Sequence, residues 1–121
     1  MPKTSAPAKL LVLAALVIST SANAAFLDGN DLYERLTDYK RETSRSLVSA
    51  SMAFGFVVGV ADTWNGQAGA KSGYMFCLPK NVKAGQLVDV VLEYLRTNPA
   101  DRHYSAGSLV QASFDSAFPC R

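Results

Sequence analysis

The chain has 121 residues, Lys+Arg 12 against Asp+Glu 10, one histidine and two cysteines, and 49% of it is hydrophobic. That length suits one domain and is short for two. The near-balance of charge leaves no basic footprint for nucleic acid, and no Lys/Arg run marks a membrane-binding surface.

The first residues read as a secretory signal. Lys3 and Lys9 form a basic start, and Leu10 to Ile18 is an unbroken apolar run. Ala22-Asn23-Ala24 then gives the small-residue pattern that signal peptidases cut. The run is too short and wrongly flanked for a membrane anchor. Cleavage after Ala24 gives a signal peptide over 1–24 and a domain over 25–121. Lys3 and Lys9 leave with the signal, so Lys+Arg fall from 12 to 10 and match the 10 Asp+Glu. No cysteine follows the run to receive a lipid. The predicted address is the periplasm, with no membrane association after cleavage.

Residues 30–43 read as a first helix, with Asn30 or Asp28 as its cap and Asp31 and Glu34 in the first turn, where the helix dipole favours acids. Leu32, Leu36 and Tyr39 recur at helical spacing, with Tyr33 beside them. Residues 46–64 form a second helix, the most apolar part of the domain. Leu47, Ala50, Ala53, Phe54, Val57, Val58 and Ala61 cover more than one face, so a central position is expected. Gly55 and Gly59 each cost a helix roughly 1 kcal/mol relative to alanine, which points to close backbone packing as compensation. The close neighbour is either another helix of the chain or a second subunit.

Residues 65–73, small and glycine-rich, read as a flexible loop, and Tyr74 to Leu78 as a short apolar run, extended or a first helical turn. A third helix spans 84–98 on the stripe Leu87, Val88, Val91, Leu92 and Leu95, and Asn98-Pro99 stops it. After a polar turn, Ser105 caps a last helix running to Phe118, with Leu109, Val110, Ala112, Phe114 and Ala117 apolar. No useful period-two alternation occurs. The reading is an all-α, small single-domain bundle of about four to six helices.

Behind an export signal the pair Cys77 and Cys120 is most simply a disulfide. It closes a loop of over forty residues, which the chain-entropy model values at about 4 kcal/mol. Both sulfurs are then removed from the nucleophiles. His103, alone in a polar turn, lacks partners for metal binding or a nucleophile pair. Asp28 with Asp31, and Asp89 with Glu93, read as solvated helix-surface carboxylates, and Asp62 as a buried hydrogen-bonding residue or a C-terminal turn group. No catalytic residue, metal site or cofactor is expected.

Several segments, in order, carry a resemblance: Gly59 and Asp62 within Gly55-Phe-Val-Val-Gly59-Val-Ala-Asp62, then Cys77-Leu78-Pro79, Gln86-Leu87, Tyr94-Leu95, Asn98-Pro99 and Phe118-Pro119-Cys120. Over Phe54 to Cys120 the chain resembles the Rap/Tai family of periplasmic immunity proteins, which block peptidoglycan amidases delivered by type VI secretion. The resemblance implies a small all-helical fold, a disulfide from the Cys-x-Pro segment to the terminal Phe-Pro-Cys, and a homodimer. It implies as partner a cognate amidase effector, occluded by binding and not by chemistry.

Loop placement and polarity then suggest the contact surface: first Trp64, Asn65, Gln67 and Lys71, then Arg102, His103 and Tyr104. The alternative reading is a small periplasmic helical chaperone that binds unfolded clients.

Overall fold

A computed structural model of the chain describes residues 26–41 and 47–121, without the side chains of Gln67 and Ser72. The signal peptide and its cleavage point lie outside the described residues, as does the stretch 42–46 between the first two helices. The described residues hold four α-helices and no strand, in the order α1 (Gly29–Arg41), α2 (Leu47–Trp64), α3 (Ala84–Thr97) and α4 (Ala106–Ala117). Two short 3-10 segments, Gly66–Ser72 and Pro99–Asp101, sit in the connections. The all-α expectation holds.

Asp28 is the cap of α1. Its Oδ1 accepts the Asp31 amide at 2.9 Å, and its own amide donates to the Asp31 carboxylate at 3.3 Å. This reciprocal arrangement satisfies two amides at the helix start. Leu32 and Leu36 are fully buried, and Tyr39 stacks on Phe54 with ring centroids 5.1 Å apart. On α3, Leu87, Val88, Val91 and Leu95 enter the core while Leu92 is half-buried, so the stripe lies where its spacing places it. Glu93 and Arg96 pair on the opposite, solvated face, at 2.7 Å.

Helix α4 begins as predicted, with Ser105 Oγ accepting the Ser108 amide at 3.4 Å. It buries Leu109, Val110 and Phe114. Beyond it the disulfide joins Cys77 to Cys120 across 43 residues of sequence, with Cα atoms 4.9 Å apart. The Cys77 amide donates to the Phe118 carbonyl at 2.8 Å, and Phe76 pairs with Pro119 as an isolated bridge. Phe76 also packs edge-on against Phe114, with ring centroids 5.1 Å apart. The segment 74–78 is therefore extended, the first of the two options its sequence allowed.

Three expectations change. Residues 66–72 wind into a 3-10 segment where an irregular loop was expected, and its start is tied to the extended segment beyond it: Asn65 Oδ1 accepts the Leu78 amide at 2.9 Å, and the Gly66 amide donates to the Phe76 carbonyl at 2.8 Å. Gly69 is buried there, and a Cβ on it would lie 2.7 Å from the Trp64 carbonyl oxygen, so glycine is needed for the coil to close. Asp62 is exposed, which removes the buried reading.

The largest change concerns α2. It packs on α1, α3 and α4 with Ala50, Ala53, Val57 and Ala61 buried and Phe54, Phe56, Val60 and Trp64 half-buried against the core. Leu47 and Val48 are each 71% exposed and Met52 is 60% exposed. Gly55 and Gly59 lie on the outer side, and a Cβ on either would meet nothing within 4 Å. No other helix of the described chain covers these glycines. The side chains that α2 buries fully are small or β-branched, its aromatics lie half-buried at the flanks, and Leu47, Val48 and Met52 stay outside.

Candidate functional site

The end of the molecule away from the disulfide is built by backbone pairing between the start of α1 and the loop before α4. The Gly29 amide donates to the Tyr104 carbonyl at 3.0 Å, Asn30 to Arg102 at 3.1 Å, and Ala106 to Leu27 at 2.9 Å. Contact this close requires Gly29. A Cβ at that position would overlap the Leu109 side chain and lie 2.8 Å from the Arg102 carbonyl oxygen. The loop 98–105, polar and proline-bearing, is in this way tied by backbone hydrogen bonds to the start of α1.

A cleft of about 980 Å³ opens beside this junction. Tyr74, Tyr94 and Tyr104 line it together with Asp28, Asp101 and His103, and Ser105, Ser108, Leu109 and Ala112 complete its wall. The Asp101 carboxylate accepts no hydrogen bond from any described residue, while its backbone amide donates to the Asn98 carbonyl at 3.1 Å. His103 Nδ1 lies 2.9 Å from the Ala100 carbonyl oxygen. A carbonyl only accepts, so Nδ1 carries the proton in this bond and the neutral ring keeps Nε2 as its acceptor. Burial, reinforced by the charges of Asp101 and Tyr74, holds the Tyr94 phenol above its usual range.

The sequence-predicted contact residues separate into two groups. His103 and Tyr104 enter this cleft, their rings 4.1 Å apart, and Tyr104 is 54% exposed. Arg102 turns inward. Its Nε donates to the Leu95 carbonyl at 2.7 Å, closing the C-terminal end of α3, and its guanidinium sits 3.8 Å above the Tyr33 ring. Trp64 is half-buried and packs on the core. Asn65 presents its side-chain oxygen to Leu78, Lys71 is exposed, and the Gln67 side chain lies outside the described residues. None of Trp64, Asn65 and Lys71 lines the cleft; the coil that holds them leads to Tyr74, which does.

Sequence reasoning missed Tyr74, Tyr94, Asp28 and Asp101 as neighbours of His103. Helical spacing assigns Tyr94 to the core, and its ring is indeed half-buried. The available signal was its chemistry: a tyrosine on a packed helix needs a polar outlet for its hydroxyl, which phenylalanine would not.

Both sulfurs are in the disulfide, and no group of three or more metal-ligating side chains occurs among the described residues. No curated protein matched the sequence. The family model for Rap1a immunity proteins matches residues 28–120, from the Asp28 cap to the Cys120 staple, and the chain belongs to that family.

Proposed function

We propose that this protein is exported to the periplasm and there neutralises a peptidoglycan amidase effector of type VI secretion by binding over its active-site cleft. The observation that carries this reading is the family match over 28–120. The apolar run and Ala22-Asn23-Ala24 at the start of the chain support export, as does a disulfide that persists only where thiols stay oxidised. The chain acts by occlusion and not by catalysis. Its contact surface is formed by the 65–73 coil and the 98–105 loop, each anchored by backbone hydrogen bonds. A loop held rigid loses less entropy when it docks, which favours tight and selective association.

The same reading includes a homodimer. From Leu47 to Ala61, α2 has no charged residue, and Val48, Met52, Gly55 and Gly59 follow one another at spacings of four, three and four along its outer side. Two copies related by a two-fold axis can bring these stripes together, the glycines allowing close backbone approach.

A protection assay tests the function. The chain, with its own signal, is produced in a susceptible bacterium into whose periplasm an amidase effector from the same genome is directed. Survival is expected. Continued lysis, with the protein verified in the periplasm, would sink the amidase assignment.

A further inference from the structure

We propose that the tyrosine-lined cleft receives a basic side chain, arginine foremost, carried on a protruding loop of the bound effector; the effector part of this statement rests on the function proposed above. Two carboxylates, Asp28 and Asp101, line the cleft, and no lysine or arginine does. In a domain whose acids and bases balance after the signal is removed, that is a local excess of negative charge. Asp28 has one oxygen on the Asp31 amide, whereas Asp101 accepts nothing from the described residues.

Three phenol rings stand around these acids. A guanidinium is planar, weakly hydrated and rich in donors, so it can stack on an aromatic face while forking onto a carboxylate. The neighbouring Arg102–Tyr33 pair, at 3.8 Å, shows the same chemistry inside this domain. A phosphate or a partner carboxylate would meet Asp28 and Asp101 as like charges. The position of Tyr94 agrees, because the nearby Asp101 charge helps hold its phenol protonated. A volume of about 980 Å³ exceeds one side chain and accommodates the backbone that delivers it.

The test uses the mature chain and two small probes, N-acetyl-arginine N-methylamide and its neutral citrulline isostere, followed by the ring resonances of Tyr94, His103 and Tyr104. The arginine probe should titrate these signals with a dissociation constant on the order of 10 mM, as befits one ion pair with aromatic stacking. The citrulline probe should not. Asp101→Asn should weaken the arginine probe at least about five-fold, and Tyr104→Ala should weaken it less, whereas Glu34→Gln on the α1 surface should leave it unchanged. Equal shifts with citrulline, shifts away from the cleft, or indifference to both cleft substitutions overturn the proposal. Tyr104→Ala keeps the test decisive if Asp101→Asn fails to fold.

The amidase effector supplies a second arm. If it binds wild type, and binds Asp101→Asn and Tyr104→Ala equally well, the cation site is wrong and the immunity reading stands. If the arginine probe titrates as expected and the effector does not bind wild type, the immunity reading fails and the cation site stands.

Discussion

Helix α2 is the more apolar of the pair α2 and α3, yet it is α3 whose large aliphatic side chains are the better covered. Helix α3 buries Leu87, Val88, Val91 and Leu95 and exposes Asp89, Glu93 and Arg96. Helix α2 buries only Ala50, Ala53, Val57 and Ala61, and exposes Leu47, Val48 and Met52. Among the described residues, one helix has its large aliphatic side chains covered and the other leaves several of them outside. Hydrophobicity alone says that a surface leaves water, whereas the placement of large and small side chains says which neighbour removes it.

The glycines extend the comparison and supply the sharpest way to break it. Gly29 lies in a closed contact, so Gly29→Ala should destabilise the fold by roughly 2–3 kcal/mol through overlap with Leu109 and the Arg102 backbone. Gly55 lies in open space, so Gly55→Ala should raise monomer stability by about 0.5–1 kcal/mol through helix propensity. Thermal melts at low protein concentration read both. Matching signs would remove the distinction drawn here.

The largest effect belongs to the staple. Replacing both Cys77 and Cys120 by alanine should lower stability by about 4 kcal/mol, seen as a large fall in denaturation midpoint, because the cross-link closes a long loop. Little change would mean that the backbone pairing of 76–77 with 118–119 suffices by itself. Arg102→Ala comes lower, at roughly 2 kcal/mol, since it removes the donor to Leu95 and the contact over Tyr33. Met52→Glu should leave the monomer's melt within about 0.5 kcal/mol while abolishing self-association in sedimentation equilibrium. An unchanged dimer would place the interface elsewhere.

Titration gives the smallest effect. The hydrogen bond from Arg96, opposed by slight desolvation, lowers the Glu93 carboxyl below its usual range in the fold. Its small stabilisation is therefore present at neutral pH and lost as pH falls through that lowered value. Glu93→Gln should flatten the acid side of the stability profile slightly, and a steeper profile would reverse the sign.

Much of this was legible in the linear chain. An apolar period located α1, α3 and α4, helped by the Asp28 cap in α1, by Pro99 after α3 and by both Ser105 and Pro119 around α4. The disulfide was legible because two cysteines behind a stretch that reads as an export signal are expected to pair. The 65–73 coil was not, because its order comes from the Asn65 oxygen and the Gly66 amide reaching residues 76–78. Gly29 gave no local sign of its role, for the atoms that exclude a Cβ belong to Arg102 and Leu109.

By itself the sequence determined the helices and the staple, because these follow from local spacing and residue chemistry. Only the tertiary structure decided that α2 presents its outer apolar side and that Arg102 serves the fold while His103 and Tyr104 face a cleft. The reason is that a side chain's neighbours across the fold are fixed by how whole helices pack, and residue spacing carries no record of which face is left uncovered.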